Sequence, residues 1–293
     1  MAMHERDYER RVTARREACF LPGTRIEVVR EPAAHDYRHV LFDFDGTLSL
    51  IRAGWTEVMV SMMVDVLLET PRREEEAELE SIVKDYVTRL TGKQTVYQMI
   101  QLAEEVRKRG GTSLDPLEYK RTYLDRLMER IRDRREALRV GRVAPEEMLV
   151  PCAFEILEGL RSRGLPMYLA SGTDECYVKE EAELLRLTPY FGERAYGAVD
   201  DYTSYSKQMV IERILRQNEV EGASLLGFGD GYVEIDNIKS AGGTAVGVAS
   251  DEAGRSGRPD PWKRDRLIGV GADLIIPDYR DQAALLEHLF ESE

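Results

Sequence analysis

Two aspartates, Asp43 and Asp45, follow the apolar run His39-Val40-Leu41-Phe42 and lead into Gly46-Thr47-Leu48-Ser49. Where such a run ends and Gly46 lets the chain turn, both carboxylates can approach one centre. One carboxylate can attack phosphorus, and a second can exchange protons with the leaving and attacking oxygens. An Asp-Gly pair also ends many strands in a plain turn, so the chemical reading depends on what accompanies it.

Three further groups stand at comparable places. Ser171-Gly172-Thr173 follows the apolar run Met167-Tyr168-Leu169-Ala170. A hydroxyl beside free backbone N–H groups at a helix start suits a phosphate oxygen. Taken alone, it reads as a helix cap. Lys207, in Tyr205-Ser206-Lys207-Gln208, is the only lysine between Lys179 and Lys239. A lone lysine is normally a surface residue. At a helix start it opposes the helix dipole, and offsetting Asp43 and a phosphoryl group would be a reason for it. Asp230 and Glu234 close the third run, Leu225-Leu226-Gly227-Phe228-Gly229.

Taken in order, these residues resemble the motifs of the haloacid dehalogenase superfamily, from about His39 to Phe290. The resemblance implies that Asp43 is the nucleophile and Asp45 the general acid and base. Ser171 would be the phosphate-binding hydroxyl, assisted by the Gly172 N–H, and Lys207 the motif lysine. Asp230 and Glu234 have the spacing of the superfamily's acidic metal motif. Mg²⁺ is the expected cofactor, held by the Asp43 carboxylate, the Asp45 backbone carbonyl and Asp230. Glu234 would bind it through water or orient Lys207. Hard Mg²⁺ suits oxygen donors. Asp45 points to phosphoryl transfer, since a haloalkanoic acid dehalogenase lacks this second aspartate. The nearest likenesses within the superfamily are phosphoglycolate phosphatase and β-phosphoglucomutase.

The elements that must position these groups are legible. Short apolar runs alternate with helical stretches on both sides of residues 52–139, which predicts an α/β fold. The expected core is a Rossmann-like parallel sheet with helices on both faces. Catalytic groups gather at the carboxyl ends of such strands. Thr24–Val29 reads as a possible edge strand, and 251–268 as an irregular polar insertion. Residues 52–139 are helical throughout, with breaks at Thr70-Pro71, Thr91-Gly92, Gly110-Gly111 and Asp115-Pro116. Four helices there predict a small bundle. Its place between the first two motifs resembles the superfamily's helical cap of the first type. The expected division is 1–38 as an N-terminal extension, 39–51 and 140–293 as core, and 52–139 as cap.

A cap over the site favours a small phosphorylated metabolite as substrate. Within it, the polar turn Thr91-Gly92-Lys93-Gln94-Thr95 offers a cation and an amide, so Lys93 and Gln94 are candidate specificity residues. Arg52 and Trp55 follow the first motif and are placed at the entrance. Tyr202, Tyr205 and Tyr232 lie near motif residues, either at the pocket or at a domain seam.

Composition narrows the class. A net charge of −13 without a basic tail argues against sequence-independent nucleic-acid binding. There is no run of about 18 apolar residues, so no membrane span is expected. Cys19, Cys152 and Cys176 are scattered, the charged N-terminal stretch lacks an apolar signal core, and the expected location is the cytoplasm. A sugar phosphomutase of the β-phosphoglucomutase type is the main alternative; that family pairs the motif lysine with proline, whereas Gln208 follows Lys207. A phosphonate-cleaving enzyme would need an imine-forming cap lysine, Lys84 or Lys93. A non-catalytic phosphate-binding module is the third alternative, but clustered carboxylates are costly without a cation.

Overall fold

The structure, a computed structural model, describes residues 12, 18–32, 36–72, 74–199, 201, 204–219 and 221–290. The chain runs through β1 (Glu27–Val28), β2 (His39–Phe42), α1 (Trp55–Leu68), α2 (Glu76–Arg89), α3 (Thr95–Lys108) and α4 (Pro116–Arg139). There follow α5 (Ala153–Ser162), β3 (Met167–Asp174), α6 (Glu175–Leu184), α7 (Thr188–Phe191), β4 (Ala195–Ala198) and α8 (Lys207–Asn218). The last are β5 (Leu225–Gly229), α9 (Tyr232–Ser240), β6 (Thr244–Val248), α10 (Pro261–Gly269), β7 (Leu274–Ile276) and α11 (Gln282–Phe290).

The described strands form one sheet in the order β1-β7-β6-β5-β2-β3-β4. All neighbours are parallel except β1, which runs antiparallel to β7 at the edge. Apolar side chains on both faces explain why these runs are strands: β2, β5 and β6 are buried at every position. At the centre, Phe42 of β2 and Phe228 of β5 stack with ring centroids 4.6 Å apart, in register across the pair. Burying each such ring contributes about 1.5–3 kcal/mol.

β2 lies between β3 and β5, the point where the strand order changes direction. Crevices at such switch points, outside the carboxyl ends of the strands, are where ligands bind in open α/β sheets. Asp43 follows the last residue of β2, Asp230 the last of β5, and Ser171 lies near the end of β3.

Helices α1 to α4 lie between β2 and β3 and form the all-α insertion expected from the sequence. Their starts and stops follow local chemistry. Asp115 caps α4, accepting from Leu117 N and answered by Glu118 in a capping box, with Pro116 at the first turn. Met59, Met62, Met63 and Leu67 fill the inner face of α1. The two crossings into this insertion run side by side. Ser49 bridges Leu149 antiparallel, Leu50 N donates to Met148 O at 2.8 Å and Val150 N to Leu48 O at 2.9 Å. Arg134 of α4 donates to Ile51 O and Ala53 O, at 2.9 and 2.7 Å.

One local expectation changes, and two further features emerge. Residues 261–269 form helix α10, started by Asp260, whose side chain accepts from Lys263 N, with Pro261 in the first turn. Helix α6 ends at Leu184 and is followed by the short α7. Strand β4 has no counterpart in the sequence reading, because Ala-Tyr-Gly-Ala carries little apolar pattern. Among the described residues, no helix is long and apolar enough to cross a membrane.

Candidate active site

Lys207 is the first residue of α8, whose start is capped by Ser206 Oγ accepting from Met209 N. Its ammonium donates to Asp43 Oδ1 at 2.6 Å and to Glu234 Oε2 at 2.9 Å. All three side chains are buried. Burial works against charge on Lys207, but the two carboxylates outweigh it and raise its pKa, so the ammonium stays charged. Burial pushes the Asp43 carboxyl up, aided by Glu234 and Asp230 and opposed by Lys207. Glu234 is fully engaged: its other oxygen, Oε1, accepts from Gly231 N at 2.5 Å.

Asp45 points into the same space. Its Oδ2 accepts from Thr173 Oγ1 at 2.8 Å and from Ser171 Oγ at 3.4 Å. Its Oδ1 lies 3.9 Å from Arg52 Nε. Burial lifts the Asp45 carboxyl to about 6, with Arg52 acting in the opposite direction. A carboxyl near that value can both give and take a proton close to neutral pH.

The residues fit a divalent metal. Asp43, Asp230 and Glu234 each offer an oxygen, and these oxygens lie within 4.8 Å of one another. The donors are all hard oxygens, as Mg²⁺ prefers. Gly46 keeps this place open. It has φ +73°, and a Cβ there would meet Asp230 Oδ2 at 2.2 Å. Glycine is thus required for the turn and for the close approach of Asp230.

The insertion closes the other side. A cavity of about 100 Å³ is lined by Asp43, Asp45, Ser171, Gly172, Lys207 and Asp230 below, and by Arg52, Trp55, Met59, Lys93, Gln98 and Tyr123 above. Lys93, a candidate specificity residue from the sequence, is among the residues that line the cavity. Arg52 also lines the cavity, but its guanidinium donates to both oxygens of Glu181, at 3.0 and 2.8 Å. Gln94 corrects the expectation. It is not part of the lining; its Nε2 donates to Tyr205 O at 2.7 Å and ties the turn to the core. A Cβ on Gly172 would sit 3.0 Å from Lys93 O, so the turn packs directly on the Ser171-Gly172-Thr173 segment. Gly172 lies within β3, three residues before α6 begins, and not at the helix start.

Tyr205 and Tyr232 belong to the seam. Tyr205 donates to Ser171 O at 2.8 Å, and Tyr232 to Arg89 O at 3.3 Å. Tyr202 lies outside the described residues. Lys84 is exposed on α2, 2.7 Å from Glu80, and away from the cavity lining. Sequence reasoning missed Gln98, Tyr123, Glu252 and Lys263, and it gave Thr173, although within the Ser171-Gly172-Thr173 motif, no role of its own. Gln98 and Tyr123 have the spacing of ordinary buried helix positions.

A buried Asp–Lys–Glu cluster thus lies at the switch point of a parallel sheet, beneath a helical insertion. Residues 37–242 match the family model for haloacid dehalogenase-like hydrolases, and the chain belongs to that family. Solved structures of this fold superpose along almost their whole length. A hydrolase of the family from Deinococcus radiodurans R1, with bound phosphate and sodium, is 18% identical with a TM-score of 0.52, covering 87% of this chain and 97% of its own. A predicted phosphoglycolate phosphatase from Haemophilus somnus 129pt is 18% identical, with a TM-score of 0.55 over 85% and 98%. The β-phosphoglucomutase of Clostridium difficile is 12% identical, with a TM-score of 0.55 over 86% and 97%. No curated protein matches the chain.

Proposed function

We propose that this protein is a Mg²⁺-dependent phosphatase of small phosphorylated metabolites that carries the phosphoryl group on Asp43. The observation that supports this most is Lys207, which bridges Asp43 and Glu234 within a small cavity that also holds Asp45. The family match and the phosphate-bound relative agree with it.

An Asp43 oxygen attacks phosphorus while the bond to the leaving oxygen breaks. Asp45 gives its proton to that oxygen, and the alcohol departs. Asp45 then takes a proton from water as the water oxygen attacks the acyl phosphate, which releases inorganic phosphate and restores Asp43. Lys207 offsets the charge of Asp43 and the incoming phosphoryl group. Ser171 Oγ and the Gly172 N–H hold the phosphoryl oxygens. Asp43 and Asp230, with the Asp45 carbonyl, would hold Mg²⁺, which would supply further charge neutralisation. Glu234, with both oxygens engaged, acts chiefly by fixing Lys207.

Phosphate release from a panel of phosphorylated metabolites, with Mg²⁺ and with EDTA, tests this reading. Release that requires Mg²⁺ is expected. Isomerisation with little release would make the protein a phosphomutase, and silence across the panel would favour a binding module. Asp43→Asn should cut turnover about a thousandfold or more while the protein unfolds as cooperatively as the wild type. Turnover within tenfold of wild type would remove Asp43 as nucleophile.

A further inference from the structure

Asp230 has a cationic neighbour that no motif announces. Lys263, on α10, places its ammonium 2.7 Å from Asp230 Oδ2 and 2.7 Å from Glu252 Oε1. It also donates to Ser250 Oγ at 3.0 Å, and Ser250 in turn donates to Gly46 O at 2.6 Å. Only 11% of the Lys263 side chain and 15% of the Asp230 side chain are exposed. The ammonium is thus fixed between two carboxylates and tied to the turn after Asp45. Asp230 Oδ2 has Lys263 on one side and Gly46 on the other, where a Cβ would lie 2.2 Å away.

We propose that Lys263 is a positioning residue that holds Asp230 Oδ2 and leaves only Oδ1 to a metal, so that the site discriminates against Ca²⁺. This rests on the metal-dependent reading above. Mg²⁺ takes single oxygens in a near-octahedral shell, whereas Ca²⁺ takes six to eight and often binds both oxygens of a carboxylate. A carboxylate with one oxygen already occupied serves the first ion and handicaps the second. Glu252 balances the charge of Lys263, so the lysine orients Asp230 without adding a net positive charge beside the metal.

The ratio of the two affinities isolates this effect. Both ions are divalent, so the electrostatic change on removing Lys263 acts on both alike, whereas the number of oxygens offered does not. Apparent affinities follow from the rise in Tm with Mg²⁺ or Ca²⁺, measured by scanning calorimetry on the full chain without substrate. Lys263→Met should shift the Ca²⁺:Mg²⁺ affinity ratio toward Ca²⁺ by about tenfold or more, the range seen when a partner of a metal ligand is lost. Glu252→Gln keeps the Lys263–Asp230 contact and should hold the ratio near the wild-type value. Should Lys263→Met fail to unfold cooperatively, Lys263→Gln, whose side chain is polar but uncharged and one atom shorter, should shift the ratio in the same direction. A ratio within twofold of wild type in the folded variant overturns the positioning role. No rise in Tm with either ion in the wild-type protein would remove the metal reading itself, and this inference with it.

Discussion

Asp45 shows how one carboxyl can record both the chemistry and the cost of its place. Its pKa stands at about 6, against 3.8 for the free group, chiefly through burial. A carboxyl raised in the folded state favours folding while it is protonated. That contribution is whole below about pH 4 and is lost as the pH climbs through about 6. A rise of that size corresponds to at most about 3 kcal/mol. Asp45→Asn removes the charge and keeps the shape, so in EDTA it should raise Tm clearly more at pH 8 than at pH 4.5. An equal change at both values, measured by scanning calorimetry, would show that ionisation of Asp45 does not cost the fold. The same carboxyl accepts from Thr173 and Ser171, which hold it toward the cavity in either protonation state.

At the scale of elements, the turn between α2 and α3 divides its labour between neighbouring residues. Lys93 lines the cavity, and Gln94 binds the core through Tyr205 O. Lys93→Ala should therefore lower kcat/KM for the native substrate by about ten- to a hundredfold, the worth of one charge-assisted hydrogen bond. It should spare a generic phosphoester too small to reach that far. Gln94→Ala should depress both substrates alike, because it loosens the seating of the turn. Matched losses for the two variants on the two substrates would deny that division. The strand ends bearing Asp43, Ser171 and Asp230 were legible because each motif is contiguous in the chain and follows an apolar run. Helices α1 to α4 were legible from their spacing and their Pro and Gly breaks. Lys263 and Glu252 were not, since a charged residue in a polar stretch reads as surface until the fold carries it beneath Asp230. The Asp260-Pro261 start of α10 was the available signal. Gln94 was misassigned because sequence places a turn near the site but cannot say which of two adjacent side chains faces inward.

For the whole molecule, the apolar core does not stop at the boundary between sheet and insertion. One buried cluster runs from Phe42 and Phe228 through Leu48, Ile51 and Leu149 to Met63, Leu127 and Ile131. Shared burial of this kind couples the two halves, so thermal unfolding in EDTA should be a single transition with matching calorimetric and van't Hoff enthalpies. Two resolved transitions would mean that the insertion is stable without the sheet. The paired crossings have a mechanical consequence as well. Two segments lying side by side, bridged at Ser49 and Leu149 and clamped by Arg134, have the geometry of a door hinge and not of a ball joint. Such a joint would leave the insertion one axis of motion against the sheet and resist twisting. On the proposed phosphatase reading, substrate and product would share one doorway, and the helices would return to the same seat over Asp43.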